Sequence, residues 1–254
     1  MLKEKEIILF NKLKISYLDN EQIDKSVIVF AHGWAADKYN LNSIYFPLIN
    51  DFRIISLDLP GFGNSSRPYE IYGSDNYAEI IYEFLNQLNI NKINYVGHSF
   101  GGKIGILLSV FYPDLVKSLV LIDSSGLRAK RNVLWFFRVG VFKLSKFFIL
   151  KILNDKEMFD RLRKNAGSDD YRNSGEMRNI LVKTVQEDFT SFLPEIKCPV
   201  FLYWGEKDDA TPLWMAKKME KLIPDSGLYI VKNGSHFSFL EDNRIIFIIK
   251  EFAI

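Results

Sequence analysis

The stretch Ile93-Asn94-Tyr95-Val96-Gly97-His98-Ser99-Phe100-Gly101-Gly102 decides which fold this sequence predicts. The run Ile93–Val96 is typical of a short buried strand, and a Gly-x-Ser-x-Gly pattern follows it directly. A serine at the tip of a tight strand-to-helix turn has a strained backbone, and side chains two residues to either side would collide with the turn. The pattern therefore indicates a nucleophilic Ser99; the alternative is a glycine-rich turn with an incidental serine.

The same rhythm of apolar run and turn recurs along the chain. Continuous apolar strands that alternate with helices are typical of a mostly parallel sheet covered on both faces. We therefore predict an α/β fold in which functional residues gather at the carboxyl ends of the strands. The further runs are Val27–Ala31, Arg53–Leu57, Ser118–Ile122, Val200–Trp204 and Leu228–Val231.

The strand rhythm stops between Leu127 and Phe192, where the pattern favours helices. The length of 254 residues suits one or two compact units, and no low-complexity linker divides the chain. We predict one α/β core formed by residues 1–126 and 193–254, with residues 127–192 inserted as a helical cap.

A serine hydroxyl needs a base, and the chain has only three histidines. His98 lies inside the turn of Ser99, and His32 opens a His-Gly-Trp turn after an early strand. His236 lies in a loop after the last predicted strand, from which it can reach the carboxyl edge of the sheet. His236 is therefore the predicted general base; the alternative is a surface loop histidine.

A carboxylate must orient the imidazole and stabilise its charged form. Asp208, after the penultimate strand, is the preferred candidate. Its neighbour Asp209, and Asp123 after the strand Ser118–Ile122, stay open as alternatives. The order Ser99, Asp208, His236 matches the chain order of the hydrolases that carry Gly-x-Ser-x-Gly, and differs from the two protease orders.

The His32-Gly33-Trp34 turn predicts the remaining part of the site. The backbone N–H of Trp34 and that of Phe100 can together bind an oxyanion. The Trp34 indole and Phe100 are predicted to contact substrate as part of the pocket wall. The alternative is a simple turn whose His32 side chain stabilises the loop, and both interpretations can hold together.

These motifs resemble those of the α/β-hydrolase superfamily, in its small capped, esterase- or lipase-like form. The resemblance covers the core and rests on five segments: His-Gly-Trp, Asp-Leu-Pro-Gly-Phe-Gly, Gly-His-Ser-Phe-Gly-Gly, Gly-Glu-Lys-Asp and Gly-Ser-His-Phe. It implies a Ser99–Asp208–His236 triad, oxyanion donors at Trp34 and Phe100, and a cap. Haloalkane dehalogenases and epoxide hydrolases of this superfamily have an aspartate where this chain has Ser99. The fold hosts many chemistries, so membership does not name the substrate.

The net charge of +2 conceals an uneven distribution. Residues 127–165 hold eleven Lys or Arg against three acidic residues, a net charge of +8, so the remainder carries −6. Aromatic residues make up 15% of the chain and are dense in this segment, where two apolar stripes run at helical spacing. We expect a cap that roofs an apolar pocket, and hypothesise peripheral contact between its basic surface and anionic membranes.

Together these features predict a serine hydrolase that cleaves carboxylic esters with an apolar acyl or alcohol group. One alternative is a carbon–carbon bond hydrolase or lyase with the same triad; another is a non-catalytic ligand-binding protein on a hydrolase fold. No cofactor, metal or nucleic-acid partner is expected, and the single Cys198 excludes an internal disulfide. A short, mixed-charge N-terminal stretch unlike a signal peptide makes a cytoplasmic location the expectation.

Overall fold

The computed structural model describes residues 1–10, 12–128 and 169–253, with the isolated positions 145, 149, 155 and 157. Strands in this part of the chain are β1 (Lys3–Ile8), β2 (Lys14–Asp19), β3 (Val27–Ala31), β4 (Arg53–Leu57), β5 (Ile93–His98), β6 (Val116–Ile122), β7 (Val200–Gly205) and β8 (Ser226–Val231). Helices are α1 (Asn42–Tyr45), α2 (Ser74–Gln87), α3 (Phe100–Phe111), α4 (Asp169–Asn173), α5 (Arg178–Thr184), α6 (Trp214–Leu222), α7 (Ser238–Glu241) and α8 (Arg244–Phe252). Short 3-10 helices cover Phe46–Leu48, Gly175–Met177 and Leu193–Glu195.

The strands form one sheet in the order β1-β2-β4-β3-β5-β6-β7-β8. β1 pairs antiparallel with β2, and β2 pairs antiparallel with β4. All remaining pairs are parallel. The predicted α/β fold, with a mostly parallel sheet and flanking helices, is therefore confirmed.

Each central strand divides its side chains between two hydrophobic cores, because successive residues of a strand point to opposite faces of the sheet. In β3, Val29 and Ala31 pack with α2, α3 and α6, whereas Ile28 and Phe30 pack with α1, α7 and α8. All four side chains are fully buried. Burial on both faces explains why these strands are continuous apolar runs rather than alternating ones.

The parallel strands bring five loops to one edge of the sheet. The chain leaves β3 at His32, β5 at Ser99, β6 at Asp123, and β7 and β8 towards Asp208 and His236. Because the carboxyl ends of parallel strands share an edge, residues far apart in sequence meet there.

The predicted cap, residues 127–192, falls largely outside the described residues, and so do most of the eleven basic residues and both apolar stripes. Its described portion contains α4, α5 and the segment that returns to the core. The cap boundaries and the basic membrane-facing surface therefore stay predictions. Within the described ranges, every helix is too short or too polar to cross a bilayer.

Candidate active site

Ser99 lies at the tip of the turn between β5 and α3, with φ of 49° and ψ of −108°. The turn is tight enough to exclude side chains at its flanking glycines. A Cβ at Gly97 would lie 2.5 Å from the Gly102 nitrogen, and a Cβ at Gly101 would lie 2.2 Å from the Ala31 carbonyl oxygen. The two glycines are therefore required by close backbone approach, as the sequence pattern predicts.

Three side chains from three loops form a continuous hydrogen-bonded chain. The Oγ atom of Ser99 lies 3.0 Å from Nε2 of His236. On the other side of the imidazole, Nδ1 of His236 lies 2.8 Å from Oδ2 of Asp208. Because an ionised carboxylate only accepts hydrogen bonds, Nδ1 carries the proton and Nε2 presents its lone pair to the serine hydroxyl.

The loop after β7 fixes the Asp208 carboxylate in place. Its Oδ1 accepts hydrogen bonds from the amides of Ala210 and Thr211, each at 2.9 Å. Its Oδ2 accepts a further one from the Thr211 hydroxyl at 2.6 Å. Asp208 is buried, whereas its neighbour Asp209 is exposed. Of these two adjacent carboxylates, Asp208 is the one in contact with His236.

The third carboxylate candidate, Asp123, is buried at the end of β6 and makes different contacts. Its oxygens accept hydrogen bonds from the Gly205 amide at 2.7 Å and from the amide and hydroxyl of Ser238, at 3.1 and 2.6 Å. Its neighbours are thus the two loops that carry Asp208 and His236.

Charge around His236 favours its protonated form. Burial alone lowers the pKa of this imidazole, but the hydrogen bond and charge of Asp208, with the charges of Asp123 and Asp170, raise it above its usual value. For Asp208 the signs are reversed. Burial raises the pKa of this carboxyl, but the contacts with His236 and Thr211 outweigh burial and lower the pKa overall. The two directions agree, as they must for an imidazole and a carboxylate that stabilise each other's charge.

The other two histidines support the backbone of the site. His98 Nε2 lies 2.8 Å from the carbonyl oxygen of His236, and burial lowers the pKa of His98 to about 3, so this ring is neutral and donates. His32 Nε2 accepts from the Leu59 amide at 3.0 Å, and its Nδ1 lies 2.7 Å from the Gly33 carbonyl oxygen. Burial also lowers the pKa of His32, which keeps it neutral.

Trp34 and Phe100 line a cavity of about 260 Å³ together with Ser99 and His236. The Trp34 and Phe100 rings meet edge to face with their centroids 5.4 Å apart. The amide of Phe100 is the first of α3 and therefore precedes the hydrogen bonds internal to that helix. The predicted wall residues thus share one cavity with the candidate nucleophile and base.

An ion pair in the cavity wall, between a buried lysine and a half-buried glutamate, is not foreseen from the sequence. Lys103, one helical turn after Ser99, lies with its Nζ 3.0 Å from Oε2 of Glu187. It also donates to the Thr184 carbonyl and lies over the Phe189 ring. A single lysine among the apolar residues of α3 indicates an unusual environment for its side chain. Its partner, however, lies 84 positions further along the chain, and no local sequence pattern identifies it. Within the described ranges, no cluster of His, Cys, Asp and Glu is arranged to bind a metal ion.

Comparison with known proteins agrees with this architecture. Residues 26–243 match the protein family described as alpha/beta hydrolase fold. The chain belongs to this family. It is therefore a hydrolase of the α/β type, as the resemblance of its motifs implies.

Relatives within the family differ in their reactions. The chain is 27% identical over 233 residues to a 2-hydroxy-6-oxo-6-(2'-aminophenyl)hexa-2,4-dienoic acid hydrolase of Metapseudomonas resinovorans, covering 84% of this chain and 79% of that protein. It is 24% identical over 264 residues to lipase 3 of a Moraxella species, covering 94% and 81%. An esterase structure from Exiguobacterium antarcticum superposes with a TM-score of 0.75 at 21% identity, covering 99% of each chain. This structural similarity shows that the two proteins share a fold.

Proposed function

We propose that this α/β hydrolase is a serine esterase that cleaves carboxylic esters with an apolar acyl or alcohol group. The observation that carries the proposal is the Ser99–His236–Asp208 chain of hydrogen bonds, with distances of 3.0 and 2.8 Å. Each contact has the direction that nucleophilic catalysis requires: an acceptor nitrogen faces the hydroxyl, and a carboxylate faces the imidazole N–H.

In the proposed reaction, His236 takes the proton of Ser99 as its Oγ attacks the ester carbonyl carbon. The amides of Trp34 and Phe100 donate to the oxyanion of the tetrahedral intermediate. His236 then gives its proton to the departing alcohol, which leaves an acyl-enzyme on Ser99. Water, deprotonated by His236, attacks the acyl carbonyl; the bond to Ser99 Oγ then breaks, His236 returns the proton to that oxygen, and the acid is released. Asp208 stabilises the imidazolium in both halves of the reaction.

The apolar preference is supported by the cavity beside Ser99. Its described wall includes Trp34, Phe100, Leu127, Leu181 and Met215. Aromatic and aliphatic walls favour an apolar group because its transfer from water is favourable by about 0.8 kcal/mol per buried CH₂.

The test is Ser99→Ala, assayed by hydrolysis of p-nitrophenyl butyrate and by labelling with a fluorophosphonate probe. We expect the folded variant to lose ester turnover and labelling together. The matched control is Ser109→Ala, which removes a buried hydroxyl from the helix that follows Ser99, one that bonds only to the Ile106 carbonyl among its described neighbours. Full esterase activity in Ser99→Ala would falsify the proposal.

Carbon–carbon bond hydrolysis with the same three side chains is the second candidate, favoured by the similarity to the dienoic acid hydrolase. A panel that pairs simple esters with a 2-hydroxy-6-oxo-dienoate separates the two reactions. Ester turnover with no cleavage of the dienoate supports the esterase. Failure of the fluorophosphonate to label the wild-type protein would instead favour a binding protein on a hydrolase fold.

A basic cap surface and a cytoplasmic location are part of the proposal on the basis of the sequence. Vesicle sedimentation tests the proposed peripheral contact with anionic membranes: we expect more binding to anionic than to neutral liposomes. Equal binding to both would remove the electrostatic part of that prediction.

A further inference from the structure

A second buried carboxylate, Asp123, joins the two loops that carry the candidate acid and base. Its Oδ1 accepts from the Gly205 amide, at the end of β7 and three residues before Asp208. Its Oδ2 accepts from both the amide and the hydroxyl of Ser238, two residues after His236. The carboxylate is fully buried, so these three donors are not exchanged for water in the folded protein.

The segment that contains Asp123, residues 122–125, also forms hydrogen bonds with the turn of Ser99. The Ser99 amide donates to the carbonyl of Ile122 at 3.0 Å, and the Ser125 amide donates to the carbonyl of Ser99 at 3.1 Å. Residues 122–125 therefore bond to the backbone of the candidate nucleophile on one side and to the loop of the candidate base on the other.

The backbone of Asp123 is itself in an uncommon conformation, with φ of 43°. Aspartate adopts this left-handed region more readily than most residues, but the conformation persists only where surrounding contacts hold it. Two residues with positive φ, Ser99 and Asp123, directly follow adjacent parallel strands, β5 and β6. The edge of the sheet is thus shaped by strained residues at both positions.

The ionisable groups that act on Asp123 are Asp208 from the loop after β7 and His236 from the loop after β8. Burial raises the pKa of Asp123 to about 7, although the hydrogen bonds from Ser238 and Gly205 oppose this shift. The negative charge of Asp123 is in turn one of the influences that raise the pKa of His236.

We infer that Asp123 is a positioning residue, which aligns His236 with Ser99 by holding Ser238, Gly205 and the Ser99 turn to one strand end. The inference rests on the proposed function and deepens it. The side chain of Asp123 bonds to Gly205 and Ser238 rather than to the imidazole or the Ser99 hydroxyl, so its effect passes through the loop of His236 and through its charge.

Asparagine cannot reproduce these contacts. An amide has one acceptor oxygen, so its NH₂ group must face either the Gly205 amide or the Ser238 amide, and a donor then opposes a donor. We therefore expect Asp123→Asn to lower kcat for p-nitrophenyl butyrate by about ten- to a hundredfold, the range typical of losing a hydrogen bond to a charged group. KM should stay within about twofold, since Asp123 is not part of the cavity wall.

The acid limb of the pH–rate profile distinguishes positioning from mere structural support. Asp123 itself titrates near pH 7, so its negative charge is present on the upper part of the acid limb. Asp123→Asn removes that charge and lowers the pKa of His236, so the upper part of the limb should move to lower pH. The matched control is Asp19→Asn. Asp19 is a buried aspartate on β2 of the same sheet, and its Oδ2 lies 2.7 Å from Nη2 of Arg53 on β4. We expect this control to keep the wild-type limb even if its stability falls.

The rate constant for fluorophosphonate labelling of Ser99 gives a readout that does not depend on the ester chosen. Slower labelling of Asp123→Asn than of wild type supports the inference; a folded Asp123→Asn with wild-type labelling, kcat and acid limb overturns it.

If Asp123→Asn does not fold, Ser238→Ala replaces it: about a threefold or larger fall in kcat at constant KM supports the inference, and wild-type kcat overturns it. An unlabelled wild-type protein contradicts the proposed function instead, so the two failures are distinguishable.

Discussion

Asp123 and Asp208 are buried carboxylates that follow adjacent parallel strands, β6 and β7, and differ in what they bind. Asp208 accepts a hydrogen bond from the imidazole of His236, whereas Asp123 accepts hydrogen bonds from backbone amides and a serine hydroxyl. Contact with His236 lowers the pKa of Asp208, while burial raises that of Asp123 to about 7. The comparison teaches that the partner, rather than burial or strand position, decides which carboxylate can act on the base.

The reason for the difference lies in the loop after β8. His236 and Ser238 are two residues apart, and each faces its own carboxylate: Nδ1 of His236 faces Asp208, and the amide and hydroxyl of Ser238 face Asp123. One loop therefore reaches both strand ends at once. Asp208 is proposed to orient the imidazole, and Asp123 to hold the loop from which it projects.

The largest effect is expected from Asp208→Asn. Without the carboxylate, the imidazole loses the acceptor that keeps the proton on Nδ1, so we expect kcat to fall by about three to four orders of magnitude. Steady-state assays of p-nitrophenyl butyrate hydrolysis measure this loss. A smaller loss in Asp208→Asn than in Asp123→Asn would reverse the roles assigned to the two residues.

The pH dependence compares the two carboxylates within the wild-type protein. In the proposed reaction His236 must be neutral to accept the serine proton, and its pKa lies above the usual 6.5. We therefore expect kcat/KM to fall about tenfold for each pH unit below that pKa and to level off above it. The profile should move to lower pH in both Asn variants, and further in Asp208→Asn, which contacts the imidazole directly. An acid limb below pH 6.5 in the wild type contradicts this interpretation.

A moderate effect is expected from Thr211→Val. The change removes the hydroxyl that lies 2.6 Å from Oδ2 of Asp208 but keeps the amide that donates to Oδ1. Loss of this hydrogen bond should lower kcat by about tenfold and leave the fold intact. Thr211→Ser retains the hydroxyl and should recover most of the activity; equal losses in both variants would assign the effect to packing.

The smallest effect is expected from Asp209→Asn. The Asp209 side chain is exposed, next to the one that contacts His236. Surface charges away from specific contacts contribute little, so kcat should stay within about twofold of wild type. A loss comparable to that of Asp208→Asn would show that the wrong member of this pair has been chosen.

Much of the sheet was predictable because its central strands are buried on both faces. Val27–Ala31 and Arg53–Leu57 begin and end where their apolar runs do. Strands β1 and β2 were not predicted. The sequence of β1, KEKEII, has no continuous apolar run, and this strand lies at the exposed edge of the sheet. A strand with one solvated face carries a weaker signal than a central one.

In the site, the geometry brings together the residues whose types and places in the chain suggested chemistry: Ser99, Asp208 and His236. The contacts of Asp123 with Ser238, and of Lys103 with Glu187, were not predictable. Each joins residues more than 80 positions apart, and a side chain's choice among several buried partners depends on packing distances that no local pattern encodes.

The backbone of Ser99 has a consequence for the evolution of the chain. A non-glycine residue at φ of 49° and ψ of −108° stores about 1–3 kcal/mol of conformational strain. Glycine at this position would release much of that strain and remove the hydroxyl in the same step. If Ser99 is the nucleophile, as proposed, stability and activity are opposed at this single residue, and selection for thermal resistance alone would favour loss of the hydroxyl.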